Sequence, residues 1–387
     1  MQIILFDNLK RKELWPLTAT KSVADLRCGI LTIKERWEAR TKYPVFVITE
    51  EYLQNAYNAV PAEEAFIIDA TVFADDALLE QILALQTGEA LADEDGLVAG
   101  VLPFLPELFK RTDPLPYFNN VSKITGVKRL QKTWQLFQWN DEILREDFKL
   151  ITKGRASQPV SPTNFIHQQA DIFIEEGARV EFAFLNSTTG PIYIGKDAEI
   201  WEGAVIRGPF ALGHHAVIKA GAKIYGATTI GPWSAAGGEI KNAVISGYSN
   251  KAHDGYLGDS VIGEWCNLGA GTTNSNVKNT AANVKLWNAF SNTYEGAGVK
   301  AGVIMGDYTR VAINSSINTG SVFGVSANIF GNGLLPTLID SFVWGIDNRY
   351  DFEKALQAID NWKKFKHSSL SAQEISVLKH IFEQNKH

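Results

Sequence analysis

A six-residue repeat is the feature that most restricts the fold of this chain of 387 residues. From position 194 to position 236, an apolar residue stands at every sixth place without a slip. These residues are Ile194, Ile200, Ile206, Leu212, Ile218, Ile224, Ile230 and Ala236. A period of six is neither helical nor that of a simple strand, and it predicts a β-helix of short parallel strands. Eighteen residues would make one triangular coil, so Gly195, Gly213 and Gly231 mark one corner on successive coils.

The repeat becomes irregular in its second half. It blurs over 236–250, returns at Ile262 and Leu268, and resumes after a gap at Met305. The intervening stretch, 274–300, is too polar to continue the coil, which predicts an excursion from the β-helix. Insertions on one face of a solenoid often build its binding site. The excursion therefore marks where a site is expected.

The first part of the chain alternates short apolar runs with amphipathic segments. The expected strands are 2–6, 45–49, 65–69 and 96–101, and the expected helices are 30–39, 50–59, 77–86 and 129–146. This alternation predicts an open α/β sheet, whose ligands lie beyond the carboxyl ends of the strands. A segment rich in proline and serine near 155–165 then predicts a domain boundary.

The expected fold class is therefore α/β plus β-solenoid. The predicted domains are an α/β domain over 1–158, a β-helix over 166–345 and a helical tail over 346–387. The tail is expected to break near 367–369.

Composition excludes several functional classes. A net charge of −6, with 45% hydrophobic and 21% charged residues, indicates a soluble globular protein and no nucleic-acid partner. No apolar run approaches the ~20 residues that would span a bilayer, and the first residues resemble a strand rather than a signal peptide. Cys28 and Cys266 lie far apart without metal-ligand spacing. We therefore expect a cytoplasmic protein with no membrane partner.

Polar residues that could take part in catalysis or binding concentrate over 239–276, where the repeat is irregular. His253 is the candidate for proton transfer, because histidine titrates near neutral pH. The alternative is a histidine at a solenoid corner that bonds the backbone. Lys219 and Lys241 would suit a phosphate as point charges, or else are solvated surface residues.

The run SNKAHDGYLGDSVIGEWCNLGAGTTNSN, at 249–276, makes the chemistry specific. It resembles the acetyltransferase half of the bifunctional N-acetylglucosamine-1-phosphate uridylyltransferase/glucosamine-1-phosphate N-acetyltransferase family. The family's general base precedes a Tyr-Leu-Gly-Asp sequence by three residues, as His253 precedes Tyr256. The stretch NLGAGT at 267–272 matches the family's Asn-Ile-Gly-Ala-Gly-Thr. The phrases VKLWN, GVSANIFG and SFVWG resemble a variant subfamily of Bacteroidetes-type bacteria.

The resemblance implies a set of site residues. Those that would hold the sugar phosphate are Glu239, Lys241, Tyr256, Asn267 and either Lys219 or Lys223. Asn276 and Ala270 would contact acetyl-CoA, and the excursion over 274–300 would contact acetyl-CoA or a neighbouring subunit. The resemblance also implies a left-handed β-helix, a nucleotidyltransferase-like first domain and a homotrimer. Its co-substrates would be acetyl-CoA and UTP, with Mg²⁺ as the metal.

The first domain departs from the family at its nucleotide loop. Sugar nucleotidyltransferases usually place a glycine-rich loop after the first strand, whereas this chain has no glycine before Gly29. Backbone N–H groups of such a loop cradle the phosphates. Arg11, Lys21 and Arg27 are the candidates to replace it with side chains, and Asp69, at a strand end, is the candidate Mg²⁺ ligand.

The expected function is thus amino-sugar nucleotide synthesis, with acetyl transfer to glucosamine-1-phosphate followed by uridylyl transfer to the product. Two alternatives stay open. One is a nucleotidyltransferase for another sugar-1-phosphate, such as a glucose-1-phosphate thymidylyltransferase, with a β-helix that only assembles subunits. The other is a non-catalytic scaffold or sensor with a degenerate nucleotide loop.

Overall fold

The computed structural model describes residues 1–384, so the last three residues of the predicted tail lie outside it. The chain divides into two compact units. The first consists of Met1–Leu14, Lys21–Leu26 and Leu31–Lys132. The second consists of Trp15–Thr20, Arg27–Ile30 and the chain from Thr133 onward. The functional domains expected over 1–158, 166–345 and 346–387 stay a prediction.

The first unit is built on a six-stranded sheet in the order β2-β1-β3-β6-β5-β7. A separate antiparallel pair joins β4 to β8. The strands are β1 (Gln2–Phe6), β2 (Val45–Ile48), β3 (Ala65–Asp69), β4 (Val72–Phe73), β5 (Glu89–Asp93), β6 (Gly96–Leu102), β7 (Asn120–Lys123) and β8 (Lys128–Arg129). Its helices are α1 (Ile33–Thr41), α2 (Glu51–Gln54) and α3 (Asp76–Leu83), with 3-10 turns at Leu9–Leu14, Val23–Asp25 and Leu115–Tyr117.

The predicted α/β sheet is confirmed, although the helix expected over 50–59 is only the four-residue α2 and two further details differ. The sheet is mixed, because β6 runs antiparallel to both β3 and β5. The first helix begins at Ile33 rather than at residue 30. Thr32 caps it, since Thr32 Oγ1 accepts the Glu35 amide at 3.2 Å and Glu35 Oε2 accepts the Thr32 amide at 2.7 Å.

The segment expected to be one helix over 129–146 belongs to three elements. It starts in β8 and continues as α4 (Gln135–Gln138) and α5 (Asn140–Thr152) of the second unit. Asn140 is fully buried there, and its Nδ2 donates to Ala227 O at 2.8 Å. Helix α5 therefore packs on the solenoid, which explains why the second unit begins before the predicted boundary.

The rest of the second unit is a β-helix with three faces. Face 1 contains Ile172–Ile174, Ile192–Ile194, Phe210–Leu212, Thr228–Ile230, Val244–Ile245, Val261–Ile262, Val303–Met305, Ser321–Phe323 and Leu338–Ile339. Face 2 contains Arg179–Val180, Glu199–Ile200, Val217–Ile218, Ala235–Ala236, Asn250–Lys251, Asn267–Leu268, Arg310–Val311, Asn328–Ile329, Val343–Trp344 and Asn348–Arg349. Face 3 contains Phe165–His167, Phe184–Asn186, Val205–Arg207, Lys223–Tyr225, Glu239–Lys241 and Tyr256–Gly258, and Thr273–Asn274 and Ser316–Ile317 pair beyond them.

The predicted parallel β-helix is confirmed. In its regular part each residue pairs with the residue eighteen positions later, as Val205 pairs with Lys223. The repeated aliphatic residues form one inward column on each face, and those from Ile194 to Ala236 are at most 2% exposed. Stacked coils therefore bury a continuous apolar core.

The irregular coils differ from the regular ones in length. Ala236 pairs with Lys251, only fifteen positions later. Thr273, in contrast, pairs with Ser316 across the predicted excursion. That excursion contains an antiparallel hairpin, Val284–Asn288 with Thr293–Gly298, and the Ala301 amide donates to Asn276 O at 3.0 Å where the chain rejoins the coil.

The predicted helical tail is confirmed as α6 (Phe352–Lys364) and α7 (Ala372–Gln384), separated by the predicted break. Across residues 1–384, no helix has the length and apolar character needed to cross a membrane.

Candidate functional site

Face 3 of the β-helix presents a compact group of polar side chains. Lys223, Glu239 and Tyr256 are strand partners on three successive coils, and Lys241 stands two residues after Glu239. Their side chains point outward, because the residues between them, such as Ile240, are buried in the core. Neighbouring strands lie about 4.8 Å apart. The shortened coils thus bring four of the predicted sugar-phosphate residues together.

Tyr225 belongs to this group although its sequence gave no reason to select it. It is the strand partner of Lys241, and its hydroxyl donates a hydrogen bond to Glu239 Oε1. That hydrogen bond, together with burial, raises the pKa of Tyr225 to about 12. Glu239 is therefore held in place by a neutral hydroxyl group one coil below it.

A second network lies at the end of the same face. Asn276 Nδ2 donates to the Tyr256 hydroxyl at 3.2 Å and also to Asp259 Oδ2. Asn242 Nδ2 donates to the other oxygen of Asp259 at 2.7 Å. Burial and the charge of Asp259 raise the pKa of Tyr256 to about 12, so its hydroxyl stays protonated at neutral pH. Asp259 thereby orients two amides and supports the predicted acetyl-CoA residue, Asn276.

His253 stands at the corner between faces 2 and 3, three residues before Tyr256, and its side chain is exposed. The Gly271 amide donates to Asp254 O at 3.0 Å, which places Ala270 one coil above His253. Asn267 lies on face 2 as the strand partner of Asn250. Within one chain, Asn267 is therefore not on the face that carries Lys241.

The two alternative lysines occupy different places. Lys223 is exposed in the outward column directly below Glu239. Lys219 lies at the corner, where its Nζ is 3.7 Å from the centroid of the Trp201 ring and burial lowers its pKa. Strand register thus places Lys223, and not Lys219, in the outward group with Glu239 and Lys241.

Lys251 is a further residue that the sequence did not single out. Its side chain is only 2% exposed, and its Nζ donates to Gly237 O at 3.0 Å and to His253 O at 2.5 Å. Burial lowers the pKa of Lys251 to about 8. Lys251 could have been recognised from the repeat, because it stands at a position that is otherwise aliphatic. The shortened coil hides this, since Lys251 follows Ala236 by fifteen residues rather than eighteen.

In the first unit, two aspartates follow adjacent parallel strands. Asp7 accepts four hydrogen bonds, from Arg11 Nε, Ser22 Oγ, Thr49 Oγ1 and the Val23 amide. Asp69 accepts from the Thr71 amide and hydroxyl, from Asn8 Nδ2 and, at 2.9 Å, from Arg129 Nη1. Both aspartates are at most 2% exposed. They close the strand ends with an internal hydrogen-bond network.

The side chains predicted to bind the nucleotide are only partly exposed to solvent. Arg11 is 4% exposed and bonds Asp7 at 3.1 Å and Lys21 O at 3.2 Å. Lys21 is half-buried in the same unit, whereas Arg27 belongs to the second unit and donates to Ile30 O. Arg111 was not predicted, since its segment has no periodicity, yet its Nη1 donates to Asp7 O at 2.7 Å.

The structure offers Asp69 no free oxygen for a metal ion. Its Oδ1 accepts hydrogen bonds from the Thr71 amide and hydroxyl, and its Oδ2 accepts from Asn8 Nδ2 and from the buried Arg129. Across residues 1–384, no cluster of three or more His, Cys, Asp or Glu side chains is arranged to hold a metal. The assignment of Mg²⁺ to Asp69 therefore gains no support from these contacts.

The first part of the chain matches a known protein family. Residues 3–156 match the sugar nucleotidyl transferase family. The predicted resemblance is confirmed. The matched residues include the mixed sheet from Ile3 onward and end after α5, so the match extends into the second unit.

Several curated relatives are bifunctional proteins. A bifunctional sugar-1-phosphate nucleotidylyltransferase/acetyltransferase from Sulfurisphaera tokodaii is 36% identical over 92 residues, which is 24% of this chain and 23% of that protein. Bifunctional protein GlmU from Methanocaldococcus jannaschii is 35% identical over 103 residues, 27% of this chain and 25% of that protein. The chain thus spans about a quarter of the length of these relatives.

A solved structure of LpxA, a UDP-N-acetylglucosamine acyltransferase from Bacteroides fragilis, is 13% identical. The alignment covers 59% of this chain and 97% of that one, with a TM-score of 0.25. At that TM-score the similarity supports no conclusion.

Proposed function

We propose that the protein is a two-domain transferase of amino-sugar nucleotide synthesis. The β-helix would transfer an acetyl group from acetyl-CoA to the amine of glucosamine-1-phosphate. The observation that carries this proposal is the outward group of Lys223, Glu239, Lys241 and Tyr256 beside the corner that holds His253. The bifunctional relatives support the pairing of the two activities.

The proposed acetyl-transfer step gives each of these residues a role. Lys223 and Lys241 hold the sugar phosphate by charge, and the protonated Tyr256 hydroxyl donates to the sugar. His253 removes a proton from the attacking amine, which forms a C–N bond to the thioester carbon. The C–S bond then breaks, and the CoA thiolate leaves and takes up a proton. A positioned general base contributes roughly 10²–10⁴ in rate.

Asn276, with its orienting partner Asp259, would hold acetyl-CoA, as would Ala270 one coil above His253. Asn267 lies on another face of the same chain. Its role in sugar binding would therefore require the neighbouring subunit of a homotrimer, in which one subunit's face 2 completes another's site. The trimer is part of this proposal.

The N-terminal domain would transfer the uridylyl group of UTP to N-acetylglucosamine-1-phosphate and release pyrophosphate. The family match over residues 3–156 supports nucleotidyl transfer by this part of the chain. Arg111, which donates to Asp7 O and pairs with Glu50 at 3.2 Å, and the half-buried Lys21 would contact the triphosphate near the strand ends, because Arg11 is almost completely buried. Mg²⁺ would enter with the triphosphate.

A two-channel assay tests both activities on one purified protein. Thiol release from acetyl-CoA with glucosamine-1-phosphate reports the β-helix, and pyrophosphate release from UTP with N-acetylglucosamine-1-phosphate reports the first domain. His253→Ala is expected to abolish the first signal and to leave the second unchanged. His215→Ala, on a regular coil, is the matched control. Thiol release that persists in His253→Ala would refute the assignment of the base.

The same assay separates the alternatives. Pyrophosphate release with another sugar-1-phosphate, without any thiol release, would identify a nucleotidyltransferase whose β-helix only assembles subunits. Neither signal from any sugar phosphate would indicate a scaffold or sensor.

A further inference from the structure

A lysine occupies an inward position of the β-helix core. On face 2 the inward column contains Ile200, Ile218, Ala236, Lys251, Leu268, Val311 and Ile329. Every other member is aliphatic and buried, and Lys251 is itself among the largest fully buried side chains. Burying a charged group without partners is costly, so this column gains nothing from a lysine through packing alone.

The partners of Lys251 are two carbonyl groups at one corner. Its Nζ donates to Gly237 O, on the coil below, and to His253 O, on its own coil. Ala236, the smallest residue of the column, lies directly beneath it. The ammonium group therefore ties together the two levels of the corner from which His253 projects.

Tight packing beneath the corner holds the same loop from the other side. A Cβ on Gly238 would stand 2.8 Å from His253 O and 2.9 Å from Asp254 Cα. A Cβ on Gly237 would stand 2.3 Å from Ala252 O. Two consecutive glycines thus let the His253 loop rest on the coil below, while Lys251 holds it from inside.

We propose that Lys251 is a positioning residue for His253, fixing the backbone of the catalytic corner through the His253 carbonyl group. This inference rests on the proposed acetyl transfer. His253 lies outside the strand ladder, on a bend between faces 2 and 3, so few backbone hydrogen bonds determine its position. The hydrogen bond from the buried Lys251 ammonium group to the His253 carbonyl group restrains the His253 backbone. It therefore limits the directions in which the His253 imidazole can point.

This role predicts a loss of rate without a loss of substrate binding. Lys251→Met keeps the length and the apolar stem of the side chain but removes the tie. Because misplacing a catalytic group by about 1 Å costs on the order of 100-fold, we expect kcat for acetyl transfer to fall about 10- to 100-fold. KM for glucosamine-1-phosphate should stay within about twofold, since Lys223 and Lys241 bind the phosphate from face 3.

Two measurements on the same preparation make the test specific. Lys196→Met, an exposed lysine on a regular coil, is the matched control and should retain wild-type kcat. Pyrophosphate release by the first domain should be unchanged in Lys251→Met. If Lys251→Met keeps its kcat, the lysine does not position His253. If the wild-type protein transfers no acetyl group at all, the proposed function fails and the inference fails with it.

A second variant moves the corner without touching Lys251. Gly238→Ala adds a methyl group against His253 O, at a glycine with φ of +70°. Gly221→Ala is its control, because Gly221 has nearly the same φ of +68° and nothing within 4 Å of the added Cβ. We expect Gly238→Ala to lose kcat while Gly221→Ala does not. Equal kcat in these two variants, both folded, would overturn the proposal even if Lys251→Met proved too unstable to assay.

Discussion

Asn276 Nδ2 lies 3.2 Å from the Tyr256 hydroxyl, and the same amide nitrogen donates to Asp259. The excursion from the β-helix begins at this residue, since the Ala301 amide returns to Asn276 O. The amide side chain therefore joins the start of the excursion to the face that carries the candidate sugar site. Asp259 fixes that junction because it accepts from Asn242 as well.

Replacing Asp259 by Asn should weaken acetyl transfer. The variant keeps the side-chain size and the left-handed backbone, at φ of 46°, which asparagine tolerates. Hydrogen bonds to charged groups contribute about 1.5–3 kcal/mol, so we expect kcat/KM to fall at least about tenfold. Loss of the carboxylate charge should also lower the pKa of Tyr256. Steady-state kinetics and ultraviolet titration of phenolate measure the two effects.

Asp197→Asn is the matched control for that variant. Asp197 also has a positive φ, of 56°, but lies half-exposed on a regular coil. Unchanged kcat/KM in Asp259→Asn would mean that the position of Asn276 does not matter for acetyl transfer.

The two candidate phosphate lysines should behave differently. Lys223→Ala should raise KM for glucosamine-1-phosphate about tenfold, because Lys223 lies in register with Glu239 and diagonally across from Lys241 on the neighbouring strand. Lys219→Ala should change KM less than about twofold, since its Nζ lies over the Trp201 ring. Initial-rate kinetics with varied sugar phosphate decide between them. A larger effect of Lys219→Ala would transfer the phosphate site to the corner.

Lys251 should make stability depend on pH in the alkaline range. Burial lowers its pKa from the ordinary 10.5 to about 8, so the fold disfavours the charged form. This penalty is fully present below pH 8 and is relieved as pH rises from about 8 to 10.5. Relative to Lys251→Met, the wild-type free energy of unfolding should therefore rise across this window, by roughly 3 kcal/mol.

Denaturant unfolding of both proteins at pH 7, 9 and 10.5 measures this difference directly. Groups other than Lys251 titrate in both proteins and cancel. A difference that stays constant with pH would show that the lysine ionises as it does in water.

Asp69→Asn distinguishes a structural from a metal-binding aspartate. Removing one partner of a buried ion pair costs about 3–5 kcal/mol, and we expect a value near the lower end because Asp93 also pairs with Arg129. Asp76→Asn, whose carboxylate pairs with Arg40 at the surface, should cost less than about 1 kcal/mol. Urea unfolding measures both variants. Normal stability combined with lost pyrophosphate release would instead restore Asp69 as a Mg²⁺ ligand.

Much of the β-helix could be predicted from the sequence because its inward positions are aliphatic at a fixed interval. The prediction became vague where that condition fails. Lys251 and Asn274 both take inward positions, as partners of Ala236 and Ile317, and the coil between 236 and 251 is three residues short. A polar residue in the core and a shortened coil each remove the periodic signal.

The candidate site was partly predictable for a different reason. The motif around His253 determines which residues are selected, and strand register then brings Lys223, Lys241 and Tyr256 to one face. Arg129 shows the limit of such reasoning. Arg129 forms an ion pair with Asp69 although it lies sixty residues further along the chain, and nothing in either local sequence indicates the pairing.

The constant eighteen-residue step of the coils from Ile192 to Ala236 has an architectural consequence. Within this stretch the strands of each coil pair with those of the coils directly above and below it, and each coil adds about 4.8 Å of height. Coils of this constant length can therefore be gained or lost during evolution as whole eighteen-residue units that keep the strand register. The shortened coil that carries Lys251 and His253 cannot be duplicated in this way, since its geometry depends on the particular coils above and below it.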